Sequence, residues 1–156
     1  SLALERRSVE LATEVESLLP VIEPDLHALG MRLELDLRPA RVHADPQRLR
    51  QVLICLLDNA RRYASEGGVV RIDTHASGST SVLRVLDRGA GFPPGGAERA
   101  FERFWRSEAS RSRQTGGSGL GLSVVRAIAE AHGGQAHAAN RPDGGAVLEV
   151  RLPASP

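Results

Sequence analysis

From Asp45 to Ala60 the chain carries the pattern that most restricts its fold. Asp45-Pro46 is a helix start, with the aspartate as capping side chain and the proline preset for the first helical position. Leu49, Val52, Leu53, Leu56, Leu57 and Ala60 then recur at i, i+3, i+4 and i+7, an apolar stripe along one side of a helix that must be covered. Gly67-Gly68 closes the segment. Two strand patterns follow, Val69 to Ala76 and Ser81 to Asp87, joined by a turn at Gly78.

The flanking segments extend the same theme. Ser8 to Leu11 reads as a short strand. Ala12 to Leu29 reads as a helix that Pro20 and Pro24 are expected to kink or divide and Gly30 to stop. Met31 to Leu37 alternates Met31, Leu33, Leu35 and Leu37 with Arg32, Glu34 and Asp36, a half-buried strand ended by Pro39, and Arg41 to Ala44 is expected to pair back onto it. Beyond the Gly/Pro-rich stretch from Gly89 to Gly96, a short helix is expected around Glu98 to Arg106 and a mobile loop from Ser107 to Gly117. Leu120 to His132 should form a helix burying Leu120, Val124, Ala127, Ile128 and Ala131, stopped by Gly133-Gly134. The last strands are Gln135 to Asn140 and Ala146 to Leu152, the second with Ala146, Leu148, Val150 and Leu152 inward. This order suits an α+β fold, a two-layer α/β sandwich whose mixed, mostly antiparallel sheet packs on helices.

Composition narrows the function. At 156 residues the chain fits one domain, and no internal repeat is present. Twenty basic residues against nineteen acidic leave a net charge of +1, which gives no electrostatic case for nucleic acid or an anionic membrane. All twenty are Arg, so a lysine-bearing phosphate loop is excluded. A single cysteine, Cys55, excludes an intrachain disulfide and a multi-cysteine zinc site and fits a reducing, cytoplasmic setting. The apolar run Val52 to Leu57 is too short to cross a bilayer.

Three groups of residues can carry chemistry. Asp87 ends its strand on the side of Leu83 and Val85, so its carboxylate faces the apolar layer and needs donors; Gly89 and Gly91 follow, permitting a sharp turn and close approach by a flat ligand. Such an aspartate can accept from the exocyclic amine of adenine, or simply close an Asx turn. The glycines from Gly116 to Gly121 lead into a helix, where free N–H groups and the helix dipole favour phosphate, or simply form a flexible hinge with a glycine-rich cap. Asn59 lies at the edge of its helical stripe with Arg62 and Tyr63 three and four residues on, so all three can face one pocket. The Asn oxygen suits a Mg²⁺ ion shared with phosphates.

The order of these groups resembles the N, G1, F and G2 boxes of sensor histidine kinases, specifically their catalytic ATP-binding domain of Bergerat type. Leu56 to Tyr63 is similar to the N box, Asp87-Arg88-Gly89-Ala90-Gly91 to G1, Phe101 to Arg106 to the F box, and Gly117-Ser118-Gly119-Leu120-Gly121-Leu122 to G2. Ala131-His132-Gly133-Gly134, and Gly144-Gly145-Ala146 running on to Leu152-Pro153, also fit, so the resemblance covers nearly the whole chain.

The resemblance implies that Asn59 binds Mg²⁺, that Arg62 and Tyr63 contact ATP, and that Asp87 reads the adenine amine beside Gly89 and Gly91. By the same resemblance Gly117, Gly119, Leu120 and Gly121 would border the phosphates, and Ser107 to Gly116 would form a lid. The resemblance also implies that Arg106, with Arg111 or Arg113, would reach the terminal phosphate and stabilise charge during transfer, although Arg111 and Arg113 equally suit a solvated loop. Cys55 stands where the family often has an earlier Asn and where related gyrase-type and chaperone ATPases carry a water-activating Glu, so slow hydrolysis is expected; its simpler role is a small apolar filler.

None of His27, His43, His75, His132 and His137 precedes an acidic residue as the family's phosphoacceptor does. The expectation is therefore a fragment. Residues 1–7 would be the tail of a connection from a dimerisation and phosphoacceptor domain, and 8–156 the ATP-binding kinase domain. The partners implied are that domain and a response regulator. The fragment is expected to be monomeric and the full-length protein a homodimer, with this domain on the cytoplasmic side of a membrane-anchored sensor. Two alternatives are a serine kinase acting on an anti-sigma-factor antagonist, against which the Phe101-to-Arg106 box argues, and a module that binds ATP without transferring it.

Overall fold

The computed structural model describes residues 3–102 and 121–156. β1 (Arg7–Glu10) leads directly into α1 (Leu11–Ala28), followed by β2 (Arg32–Leu37), β3 (Arg41–Ala44) and α2 (Pro46–Tyr63). A 3-10 turn at Ser65–Gly67 precedes the hairpin of β4 (Val69–Ser77) and β5 (Thr80–Asp87). The short helix α3 (Gly96–Arg99) comes next, then α4 (Gly121–Ala131), β6 (Gln135–Asn140) and β7 (Ala146–Pro153).

Five strands form one sheet in the order β2-β4-β5-β7-β6. β2 runs parallel to β4 and every other neighbouring pair is antiparallel, giving the mixed, mostly antiparallel sheet expected. The early strands pair differently from expectation. β3 does not return onto β2 but pairs antiparallel with β1 in a separate ribbon, Val9 opposite Val42. Parallel pairing sets Leu33 beside Val70 and Leu35 beside Ile72 on one face and Glu34 beside Arg71 on the other, so β2 finds matched apolar and charged neighbours in β4.

The prolines do not divide α1, which runs unbroken through Pro20 and Pro24. Each removes one N–H, leaving the carbonyls of Glu16 and Pro20 without a helical donor, and both of those residues are exposed to solvent. The opposite side keeps Leu11, Val15, Ile22 and Leu26 in the core.

The α2 stripe is buried as its spacing demands, from Leu49 to Ala60. Asp45 caps it, with its carboxylate accepting from the N–H groups of Gln47 and Arg48 at 3.0 and 3.4 Å. α4 is turned relative to expectation: it buries Val125, Ile128 and Ala129, whereas Val124 and Ala131 are half-buried and Ala127 is exposed. α4 packs chiefly along α2 rather than flat on the sheet, so its buried face answers to α2. Beneath the helices lie Val70 and Ile72 of β4, Leu83 and Val85 of β5, and Leu148 and Val150 of β7. No helix of the described residues is long and apolar enough to cross a membrane.

Candidate functional site

The last turns of α2 and the segment leaving β5 meet at one end of the sandwich. A Cβ placed on Gly89 would lie 2.8 Å from both Cα and Cβ of Ala64 and 3.1 Å from the Tyr63 carbonyl oxygen. Only a residue without a side chain lets the segment approach the helix end this closely. Asn59, Arg62 and Tyr63, all half-buried, are thereby brought to the same end of the fold as Asp87, Gly89 and Gly91.

Asp87 is 6% exposed. Its Oδ1 accepts two backbone bonds, from Gly89 N–H at 2.9 Å and from Ala146 N–H at 3.1 Å. The first closes an Asx turn, so the modest reading of the residue holds in part. The second crosses to β7, and an Asx turn does not require it. Among the described residues Oδ2 accepts no hydrogen bond, so one carboxylate oxygen remains for a donor from outside.

The α2 side of the site is organised by Asp58. Its carboxylate takes Nη2 of Arg61 at 2.8 Å and Nε of Arg62 at 2.8 Å. Burial pushes this carboxyl up, but the hydrogen bonds and charges of the two guanidiniums outweigh it and hold the group below the usual carboxylate range. Arg62 is therefore tied back along its own helix, with its orientation set one turn earlier. Cys55 is half-buried, and burial first, then the charge of Asp58, pushes its thiol above its ordinary value. That environment suits a neutral filler.

The fit of a divalent ion can be tested on Asn59. Its side chain makes no hydrogen bond among the described residues, so its carbonyl oxygen is available as a hard neutral donor, while Asp58 beside it is engaged by arginines. Among the described residues no group of three or more His, Cys, Asp or Glu could hold a metal ion. The donor set fits an ion that arrives with phosphate oxygens.

Gly121 stands exposed at the first residue of α4. Arg106, Gly117, Gly119 and Leu120, with the lid and its Arg111 and Arg113, lie outside the described residues. Of the F-box segment, Phe101 and Glu102 are described, Phe101 buried in the core and Glu102 half-buried.

Sequence reasoning missed the far wall of the site, built by the end of β6 and the connection to β7. Asn140 grips the backbone of Phe92 through both amide atoms, at 2.6 and 3.0 Å. Arg141 Nη1 donates to the Asp87 carbonyl at 2.9 Å, and Arg88 pairs with Asp143 at 2.8 Å. Gly145 (φ +95°) packs so closely that a Cβ there would overlap the Asp87 carbonyl. The Pro-Asp-Gly-Gly turn signals a tight connection in the sequence, but nothing local says which loop it touches.

A family model described as "Histidine kinase-, DNA gyrase B-, and HSP90-like ATPase" matches residues 44–156. The sensor protein KdpD of Escherichia coli (strain K12) is 38% identical over 150 residues, covering 96% of this chain and 16% of that protein. The signal transduction histidine-protein kinase BaeS of the same organism is 35% identical over 154 residues, covering 98% and 33%. The chain thus spans a third or less of these curated relatives. The catalytic domain of the histidine kinase ThkA, in a nucleotide-free form, superposes with a TM-score of 0.83 at 26% identity, covering 97% of this chain and 99% of that one.

Proposed function

The chain belongs to the histidine kinase-, DNA gyrase B- and HSP90-like ATPase family, with sensor histidine kinases as its relatives, and from that membership we propose that it binds Mg²⁺–ATP and delivers the γ-phosphoryl group to a histidine on a separate dimerisation domain. The observation that carries the nucleotide reading is the buried Asp87 carboxylate, with Oδ1 satisfied by two backbone donors and Oδ2 unfilled among the described residues. The adenine N6 amine is a donor that completes it, whereas guanine presents an acceptor oxygen at the corresponding position and is repelled.

At the other end of the nucleotide, Asn59 would hold Mg²⁺, which supplies charge neutralisation on the phosphates. Arg62 and Tyr63 would contact the nucleotide, and Gly117, Gly119, Leu120 and Gly121 would border the phosphates. Arg106 would stabilise the charge that develops as the bond from the γ-phosphorus to the β–γ bridging oxygen breaks and a bond to the acceptor imidazole nitrogen forms, leaving ADP. Closure of the 107–116 lid would exclude water. The phosphoryl group would then pass to an aspartate of a response regulator. In this reading residues 8–156 are the kinase domain of a homodimeric, membrane-anchored sensor and act on its cytoplasmic side, where ATP is available.

Calorimetric titration with a non-hydrolysable ATP analogue, with and without Mg²⁺ and with the GTP analogue as control, tests the binding half. Adenine-selective, Mg²⁺-enhanced binding is expected, and its absence refutes the pocket. Incubation of labelled ATP with an intact acceptor domain tests the transfer half. Acid-labile label on histidine is expected; acid-stable label indicates a serine kinase, and binding without label a module that does not transfer.

A further inference from the structure

The segment from Asp87 to Phe92 contains two glycines and leaves the sheet at β5, so its own backbone does little to hold it in one shape. The end of β6, the connection that follows it and the start of β7 grip it at both ends. At the start, the Arg141 guanidinium donates to the Asp87 carbonyl at 2.9 Å, and the Ala146 N–H donates to the Asp87 carboxylate at 3.1 Å. At the finish, Asn140 Oδ1 accepts the Phe92 N–H at 2.6 Å while Nδ2 donates to the Phe92 carbonyl at 3.0 Å. One amide thus satisfies both main-chain groups of one residue, as a neighbouring strand would. Arg88 and Asp143 pair at 2.8 Å between the two grips.

We propose that Asn140 and Arg141 are positioning residues for adenine recognition: they do not touch the base but hold the Asp87–Phe92 segment so that Asp87 presents its second carboxylate oxygen to it. The inference rests on the adenine reading of Asp87 given above. Its physical content is preorganisation. Without the grip, the segment samples several shapes, and the apparent affinity falls by the fraction that remains competent. Asn140 is exposed and Arg141 half-buried, so removing either side chain opens no core cavity.

The test is titration of the 156-residue chain with non-hydrolysable ATP and GTP analogues, alongside Asn140→Ala, Asn140→Asp and Arg141→Met. Asn140→Asp keeps the size and the acceptor but sets an anionic oxygen against the Phe92 carbonyl. Each variant should keep a near-normal thermal midpoint, bind the ATP analogue about three- to tenfold more weakly, and lose part of its preference for adenine over guanine. In an Asp87→Asn background, Asn140→Ala should cost no further selectivity, because the residue acts through Asp87. Unchanged affinity and selectivity in the three single variants overturns the inference, as does a selectivity loss that persists in full without the Asp87 carboxylate. Failure of the unsubstituted chain to bind the ATP analogue overturns the adenine reading and this inference together. Normal binding by that chain with unaltered variants overturns this inference alone.

Discussion

The imidazole of His132 joins two helix ends: Nδ1 lies 2.8 Å from the Ile128 carbonyl oxygen, and Nε2 accepts the Asp45 backbone N–H at 3.1 Å. A carbonyl can only accept and an amide N–H can only donate, so the ring is held as its Nδ1–H tautomer. The residue following α4 is thereby fastened to the cap of α2. Arg6 adds a bond from the start of the chain to the Ala131 carbonyl at 2.8 Å.

His132 is 4% exposed, so truncating it leaves the Asp45 N–H buried without a partner. His132→Ala should lower stability by about 2 kcal/mol, read as a shift in denaturant midpoint. An unchanged midpoint would mean that the bridge contributes nothing.

Asp45 predicts the shape of acid unfolding. The N–H of Glu5, at 3.1 Å, is the leading cause that holds its carboxyl below the ordinary carboxylate value; burial opposes, and the Arg48 and Gln47 N–H groups and the Arg48 charge assist. A depressed folded value means that the unfolded chain takes up the proton first as pH falls. The stabilisation is complete above the unfolded value of about 3.9 and is lost as pH drops through the folded one. Asn still caps a helix, so Asp45→Asn should flatten the fall in stability below about pH 4 relative to the unsubstituted chain. Parallel acid limbs for the two proteins would rule this out.

Gly89→Ala places a methyl group 2.8 Å from Ala64 Cα. Either α2 or the segment must shift, at a cost of about 1–3 kcal/mol. Affinity for the ATP analogue should fall in step, because the shift separates Asp87 from Asn59, Arg62 and Tyr63. Full affinity in this variant would show that the close approach is unnecessary for the ligand.

Asn59→Ala and Asp87→Asn should fail in different ways. The first should remove most of the affinity that Mg²⁺ adds while leaving Mg²⁺-free binding in place. The second should weaken adenine over guanine discrimination. Titrations with both analogues, with and without Mg²⁺, separate them, and an identical defect in both variants contradicts the assignment of two ends to the site.

Cys55 should be sluggish. A half-buried thiol whose pKa is raised carries little thiolate near neutrality, so a disulfide reagent should react with the native chain about tenfold more slowly than with the unfolded chain. Equal rates would place the thiol in open solvent.

Local patterns were legible where one element's own spacing decides its burial. The α2 stripe, the Asp45-Pro46 start and the β4–β5 hairpin around Gly78 (φ +62°) stand in the structure as their residues imply. Asp87 was legible because strand alternation forces its carboxylate toward the apolar layer, where it lies beside Ala146. The box order pointed to the family to which the chain belongs.

What remained hidden depends on residues far apart in the chain. The alternation in β2 does not reveal whether its partner is β3 or β4; the match of Leu33 with Val70 and Glu34 with Arg71 decides it. The buried face of α4 depends on lying along α2, which rotates Val125 and Ala129 inward and leaves Ala127 outside. The prolines of α1 are tolerated because they fall on an exposed side. The grip of Asn140 and Arg141 on Phe92 and Asp87 spans 48 and 54 residues. By itself, then, the sequence determined the elements, the inward carboxylate and the family, because periodicity and motif order are local properties. Only the tertiary structure decided strand partners, helix rotation and the wall behind Asp87, because these follow from which surfaces meet.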